Sequence, residues 1–210
     1  MIMEDKERLK SLYKLMVEKA WEYKNPFLPS CCSALPILDC LYRGADITRD
    51  RIILSKGHAG LAHNIIKQSL GIVSDMSEFM DESYTLTGSL GHGIPVGVGI
   101  ALAKKIGKKP GVVYVLVGDG ECQEGTTWES LCVINRFGLD NVQVHIDHNQ
   151  YQGCGKSQET AVSILLKASP AFFTHERIKG YGIDYLEKRP WIHTFKMRAE
   201  QYTEIMEQFR

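Results

Sequence analysis

The most constraining feature of this chain is a continuous apolar run, Gly111 to Val117 (GVVYVLV), that ends abruptly in Gly118-Asp119-Gly120. A strand with no polar alternation has both faces covered, which is the situation of a parallel strand between two helical layers. A second run, Asn141 to Asp147 (NVQVHID), follows after a helical stretch from Thr127 to Phe137. Two parallel strands need a crossover of that kind. Shorter strand candidates lie at Arg51 to Leu54 and Ala171 to His175. Helical periodicity marks residues 4–24, with Leu9, Leu12, Met16 and Ala20 on one face, and the tail from Met197 to Phe209. Further helices are predicted over Ala34–Tyr42, Gly57–Leu70 with Gly71 as its cap, Gly93–Ile106 and Ala161–Ala168. Pro26 and Pro29 read as breakers between the first two helices. Strands alternating with helices predict an α/β fold, a mostly parallel sheet flanked by helices, in a single domain over residues 1–210. No repeat, linker or low-complexity segment interrupts it.

Composition narrows the function classes. The chain has 210 residues, 44% of them hydrophobic and 24% charged, enough for a sizeable core. Lys+Arg and Asp+Glu are both 25, so the formal net charge is zero. That balance favours neither nucleic acid nor an anionic membrane as partner. The charged start MIMEDKERLK does not read as a secretory leader, and no window has the length of a membrane span. Six cysteines, Cys31, Cys32, Cys40, Cys122, Cys132 and Cys154, form no CxxC pair and no zinc spacing with histidine. Reduced thiols and a cytoplasmic location are the expectation.

The chemistry concentrates between Val117 and Gly153. In open α/β sheets ligands bind beyond the carboxyl ends of the strands. Gly118 and Gly120 let backbone approach a ligand closely, and Asp119 places a carboxylate at that edge. One strand later the chain reaches His148-Asn149. If the two strands are neighbours, Asp119 and Asn149 meet at one edge. Their oxygens are hard donors suited to Mg2+, with Ca2+ as the alternative; backbone carbonyls, water and ligand phosphates would complete the shell. A lone GDG is most often a turn. Its coupling to an Asn at the end of the next strand gives it weight.

These residues resemble the transketolase family. The stretch GDGECQEGTTWESLCVINRFGLDNVQVHIDHNQYQG is similar to the thiamine diphosphate motif, and its Glu124-Gly125, Trp128-Glu129 and Leu139-Asp140-Asn141 are similar to transketolase in particular. Three further stretches match in the same order: LSKGHAGLA from Leu54, TGSLGHGIPVGVGIALA from Thr87, and KGYGIDYLEKRPWIH from Lys179. The resemblance implies thiamine diphosphate and Mg2+ as cofactors. It implies metal ligation by Asp119, Asn149 and the carbonyl of Tyr151, and diphosphate binding at Gly118 and Gly120. His58 and His193 match histidines near the diphosphate or thiazolium. Gly88 and Leu90 match backbone positions beside the aminopyrimidine. Glu124 matches a glutamate at the boundary between subunits, and His92 in the glycine-rich loop is a candidate for touching cofactor or substrate. Asp147 reads as a carboxylate that orients its neighbours. His63 and His145 read as structural, His175 is left open, and His148 matches no ligand.

Departures from the family pattern shape the functional expectation. The pyrimidine-binding domain, with its cofactor-activating glutamate, is not in these residues. Phe27 falls where the family has a substrate-facing histidine, and the loop Ser77 to Leu86 lacks another. The segment from Gly155 to Lys179 is shortened. The chain is therefore expected to be one subunit of a split transketolase-like enzyme, transferring or forming a two-carbon ketol unit. Its partner would be a separate pyrimidine-domain subunit, in an assembly with two copies of each chain. Alternatives are a subunit of a thiamine-dependent 2-oxo acid decarboxylase or dehydrogenase, and a non-catalytic cofactor-binding remnant.

Overall fold

The computed structural model describes residues 5–72 and 89–210; Gly88 and the Ser77–Leu86 loop lie outside them. The chain begins with two helices, α1 (Lys6–Glu22) and α2 (Leu28–Gly44), followed by β1 (Arg51–Leu54) and α3 (Gly60–Ser69). Next come α4 (Gly93–Ile106), β2 (Val113–Gly118), α5 (Gly125–Phe137) and β3 (Val142–His148). A two-stranded hairpin, β4 (Tyr151–Gln152) and β5 (Gly155–Lys156), leads to α6 (Glu159–Ala168) and β6 (Phe172–Glu176). Two short helices, α7 (Asp184–Glu187) and α8 (Ala199–Glu207), complete the chain.

Strands β1, β2, β3 and β6 form one sheet in that order, every pair parallel. The fold is the α/β arrangement expected of the apolar runs. Alternate residues of β1 and β2 enter two separate cores, while the buried apolar residues of β3 and β6 all enter one. Ile53, Val115, Val117, Val144 and Ile146 pack with α4, α5 and α6 on one face. Ile52, Leu54 and Leu116 pack with α1, α2, α3, α7 and α8 on the other. Burying a Leu or Val side chain contributes about 1.5–3 kcal/mol, and on the second face much of that burial is helix against helix, among α1, α2, α3 and α8. Small residues bring α4 close: a Cβ on Gly97 would collide with the Val115 side chain.

The second helix differs from the sequence expectation. It starts at Leu28, with Pro29 in its first turn, and it carries Pro36 within its length. Proline's fixed φ suits the first helical turn, where its missing N–H would have no partner anyway. Only Tyr23 to Phe27 form the break, closed by the Phe27 N–H donating to Asn25 Oδ1 at 2.8 Å and by Lys24 at φ 53°. The effect is to bring Phe27, Ser30 and Ser33 to the sheet's carboxyl edge. The hairpin β4–β5 and helix α7 have no counterpart in the sequence reading, because each is shorter than a periodicity window.

Candidate active site

Three strands deliver the site. β1 runs into Ser55-Lys56-Gly57-His58, β2 into Gly118-Asp119-Gly120, and β3 through Asp147-His148 to Asn149. Register places Gly118 directly beside Asp147, so the two motif ends meet as adjacent strand ends should. They open on a cleft of about 320 Å³ whose walls include Lys56, His58, Leu90, Asp119, Asn149, Tyr151, Lys179 and His193.

Asp119 is 3% exposed. Its Oδ1 accepts from the Gly120 N–H at 2.9 Å, while Oδ2 is buried with no partner among the described residues. A buried carboxylate oxygen without a donor is costly, and a cation at that oxygen would remove the cost. Asn149 is held at the same edge. Its Oδ1 accepts from the Tyr151 N–H at 3.2 Å and its Nδ2 donates to Ser33 Oγ at 3.3 Å. Ser33 in turn donates to Asp147 Oδ2 at 2.7 Å. Asp147 thus reaches Asn149 through Ser33 and fixes its orientation. A Cβ on Gly120 would approach Gln152 Oε1 to 2.7 Å and its Cβ to 3.2 Å, so a larger residue in that turn would push Gln152 out of place.

Two lysines complete the electrostatics, and neither is singled out by the sequence. Lys56 Nζ lies 2.5 Å from Asp147 Oδ2 and 3.1 Å from the Ser30 carbonyl. Lys179, 1% exposed, donates to the Tyr151 carbonyl at 3.3 Å and contacts His193 Nδ1 at 3.1 Å. Burial, with Lys56 nearby, pushes the Lys179 ammonium down to about 8. Burial also lowers His58, and it lowers His193 to about 4 with help from Lys179. Both imidazoles are therefore neutral at pH 7, acceptors as well as donors. Their rings lie 5.2 Å apart. Phe27 meets His58 edge-on at 4.5 Å and His193 at 6.4 Å, so it backs the two cleft histidines with aromatic surface.

The structure brings His58, Leu90, Gly118, Asp119, Gly120, Asn149, Tyr151 and His193 together around this cleft. His92 and Glu124 stand apart from its lining. His92 is the exposed residue before α4, paired with Ser89 Oγ at 2.9 Å. Glu124 precedes α5 and packs behind Gly91. His63 is a core residue bonded to Tyr42 at 2.6 Å, and His145 pairs with His175 at 2.9 Å away from the cleft. Lys56 and Lys179 could have been suspected from their places beside matched motif residues. Nothing in sequence marks a lysine as buried.

A parallel sheet with hard oxygen donors and two lysines at its carboxyl edge is a cleft suited to a phosphate-bearing ligand. Comparison with known proteins names the family. Residues 43–167 match the family model described as transketolase, thiamine diphosphate binding domain, and the chain belongs to that family. It is 29% identical to one named subunit of the apulose-4-phosphate transketolase of Phocaeicola vulgatus, over 91% of this chain and 82% of that protein. It is 33% identical to the 6-deoxy-6-sulfo-D-fructose transketolase subunit SqwG of Clostridium sp., over 53% of this chain and 46% of that protein. Human transketolase is 30% identical over 76% of this chain, which spans 30% of the human protein. The fold agrees with the solved transketolase of Leishmania mexicana, with a TM-score of 0.65 at 18% identity, covering 99% of this chain and 42% of that one. Among the described residues, no helix is long and apolar enough to cross a membrane.

Proposed function

We propose that this chain, acting as one domain over residues 1–210, is the thiamine diphosphate- and Mg2+-binding subunit of a two-polypeptide transketolase of the cytoplasm. The observation that carries the reading is the pairing of Asp119 and Asn149 on adjacent strand ends, with a buried unpartnered oxygen on Asp119. Asp119, Asn149 and the Tyr151 carbonyl would hold the metal, as hard oxygen donors do. Lys56, Lys179, His58, His193 and the Gly118–Gly120 backbone would hold the diphosphate. Bound thiamine diphosphate supplies an acidic carbon that adds to a ketone and an electron sink for breaking the adjacent carbon–carbon bond. The chain's own part is to bind, orient and exclude water. Neutral His58 and His193 can each hold or pass a proton at the cleft wall.

A second polypeptide is part of this reading. The cleft carboxylates among the described residues are Asp119 and Glu121. Asp119 is taken by the metal and Glu121 by three donors, so the carboxyl that activates the aminopyrimidine comes from elsewhere. Relatives whose names make them one subunit of a transketolase point the same way. The outer face of α4 is apolar and exposed at Pro95, Gly99 and Ala103, ending at Ile106, 74% exposed. That face suits a partner of the pyrimidine-domain type, in an assembly with two copies of each chain. With Phe27 on His58, the substrate is a ketose whose reacting end meets a less polar wall than a histidine would give.

The test is C2-proton exchange of thiamine diphosphate, followed by NMR with Mg2+. The chain alone should leave exchange at the rate of free cofactor, and mixing with the partner should accelerate it and give ketol transfer. Rapid exchange from the lone chain would refute the split site. Carbon dioxide release from a 2-oxo acid would replace transketolase with the decarboxylase class.

A further inference from the structure

Glu121 sits two residues beyond Asp119 and is fully buried. A carboxyl in that position is ordinarily expelled or neutralised. Burial does raise this one above the usual carboxylate range, and its hydrogen bonds oppose the rise. Every partner is a donor. Oε1 accepts from Ser55 Oγ and from the Gly91 N–H at 3.0 Å, and Oε2 accepts from the Gly118 N–H at 2.8 Å. The two carboxyl oxygens have the acceptor capacity for all three contacts. Ser55 relays the contact further, its hydroxyl accepting from the Gly93 N–H at 3.0 Å. One side chain therefore ties together the end of β1, the end of β2 and the glycine loop that enters α4.

The two ends of this bridge are not equally supported. The Gly118–Gly120 turn has its own anchors. Gly118 lies in register with Asp147 in the sheet, and the Glu121 carbonyl accepts from Thr127 Oγ1 at 2.7 Å and the Glu124 N–H at 3.1 Å. The Ser89–Gly93 loop belongs to no strand. Its backbone is fixed at Gly91 and Gly93 by Glu121, by Ser55 and by Thr126 Oγ1, which donates to the Gly91 carbonyl at 2.9 Å. The fit is close. Gly91 has φ +79°, and a Cβ there would lie 2.5 Å from Thr126 Oγ1; one on Gly93 would collide with Ser55. This loop carries Ser89 and Leu90 into the cleft wall.

We infer that Glu121 is a positioning residue: its carboxylate latches the Ser89–Gly93 loop to the Gly118–Gly120 turn and so sets the spacing between the thiamine-side and diphosphate-side walls of the cleft. The inference rests on the cofactor assignment above for its ligand arm, but not for its structural arm. Loss of the latch frees the loop and leaves the turn in place. Binding of the whole cofactor then weakens more than binding of its diphosphate alone.

The experiment uses the full chain with Glu121→Ala and Glu121→Gln. Hydrogen–deuterium exchange over residues 89–95 should quicken on the order of tenfold or more in Glu121→Ala, with β2 and β3 still protected. In saturating Mg2+, thiamine diphosphate affinity should fall roughly 10- to 100-fold, the loss expected when buried donors are left unpaired, while inorganic pyrophosphate affinity stays nearly unchanged. Glu121→Gln should fall between wild type and Glu121→Ala, since an amide must turn its NH2 toward one of the donors. Equal losses for both ligands, or unchanged exchange over 89–95, would overturn the latch. If wild-type chain binds neither ligand, the cofactor assignment fails, and the exchange result alone decides the latch. Should Glu121→Ala not fold, Ser55→Ala removes the relay to Gly93 and must show the same selective loss in smaller degree.

Discussion

Replacing Lys56 by Met tests the electrostatics of the site most directly. The Lys56 side chain is 10% exposed and Asp147 is fully buried, and their charged atoms lie 2.5 Å apart. With the ammonium gone, Asp147 keeps, among the described residues, the hydroxyl of Ser33 at 2.7 Å, and its Oδ1 already lacks a partner there. Breaking a buried pair this way strands a charge and costs about 3–5 kcal/mol. For a chain of this size each kcal/mol moves Tm by roughly 2–4 °C, so Lys56→Met should melt roughly 6–20 °C lower, and its urea midpoint should fall with m unchanged. The double variant Lys56→Met, Asp147→Asn removes the stranded charge, keeps the Ser33 contact and should recover most of the loss. Equal destabilisation in the single and double variants would refute stranded charge as the cause. A single-variant loss below about 1 kcal/mol would mean that the pair behaves as a solvated one.

Asp119→Ala should abolish stabilisation by thiamine diphosphate with Mg2+; at 100 times Kd the wild type gains about 2.7 kcal/mol, and a thermal shift retained in the variant would sink the metal assignment. Burial and the neighbouring His175 push His145 down to about 3, so the unfolded chain takes up this proton near 6.5 and the folded chain does not. Its contribution to stability is complete above about pH 6.5 and is lost as pH falls toward 3; urea midpoints from pH 7 to 4 should decline less steeply in His145→Phe, and parallel declines would refute the assignment. Phe27→Ala should let water reach His58 and raise its depressed pKa, read by NMR titration of the imidazole; an unmoved value means that Phe27 does not shield it.

The sheet, its parallel sense and its two helical layers were legible because GVVYVLV lacks alternation, as burial on both faces requires, and because NVQVHID follows it after one helix. Asp119 and Asn149 were legible for a related reason: strand ends in a parallel sheet converge on one edge, so a motif at the end of each strand predicts a meeting without coordinates. The start of α2 was misread because proline breaks a helix interior but favours a first turn, and only the cap at Asn25–Phe27 tells the two apart. Glu124, matched to a position at a subunit boundary, and His92, a candidate from its place in the glycine-rich loop, lie outside the cleft lining of this chain by itself.

Local pattern by itself determined which segments are strands, which carry glycine turns and where hard oxygen donors stand. Tertiary structure alone decided the charge state and partners of those groups. Lys56 reaches Asp147 from 91 residues away, Glu121 joins three segments, and Lys179 is enclosed from the far end of the chain. Desolvation and hydrogen bonding depend on everything packed around an atom, and that neighbourhood exists only once the chain has folded.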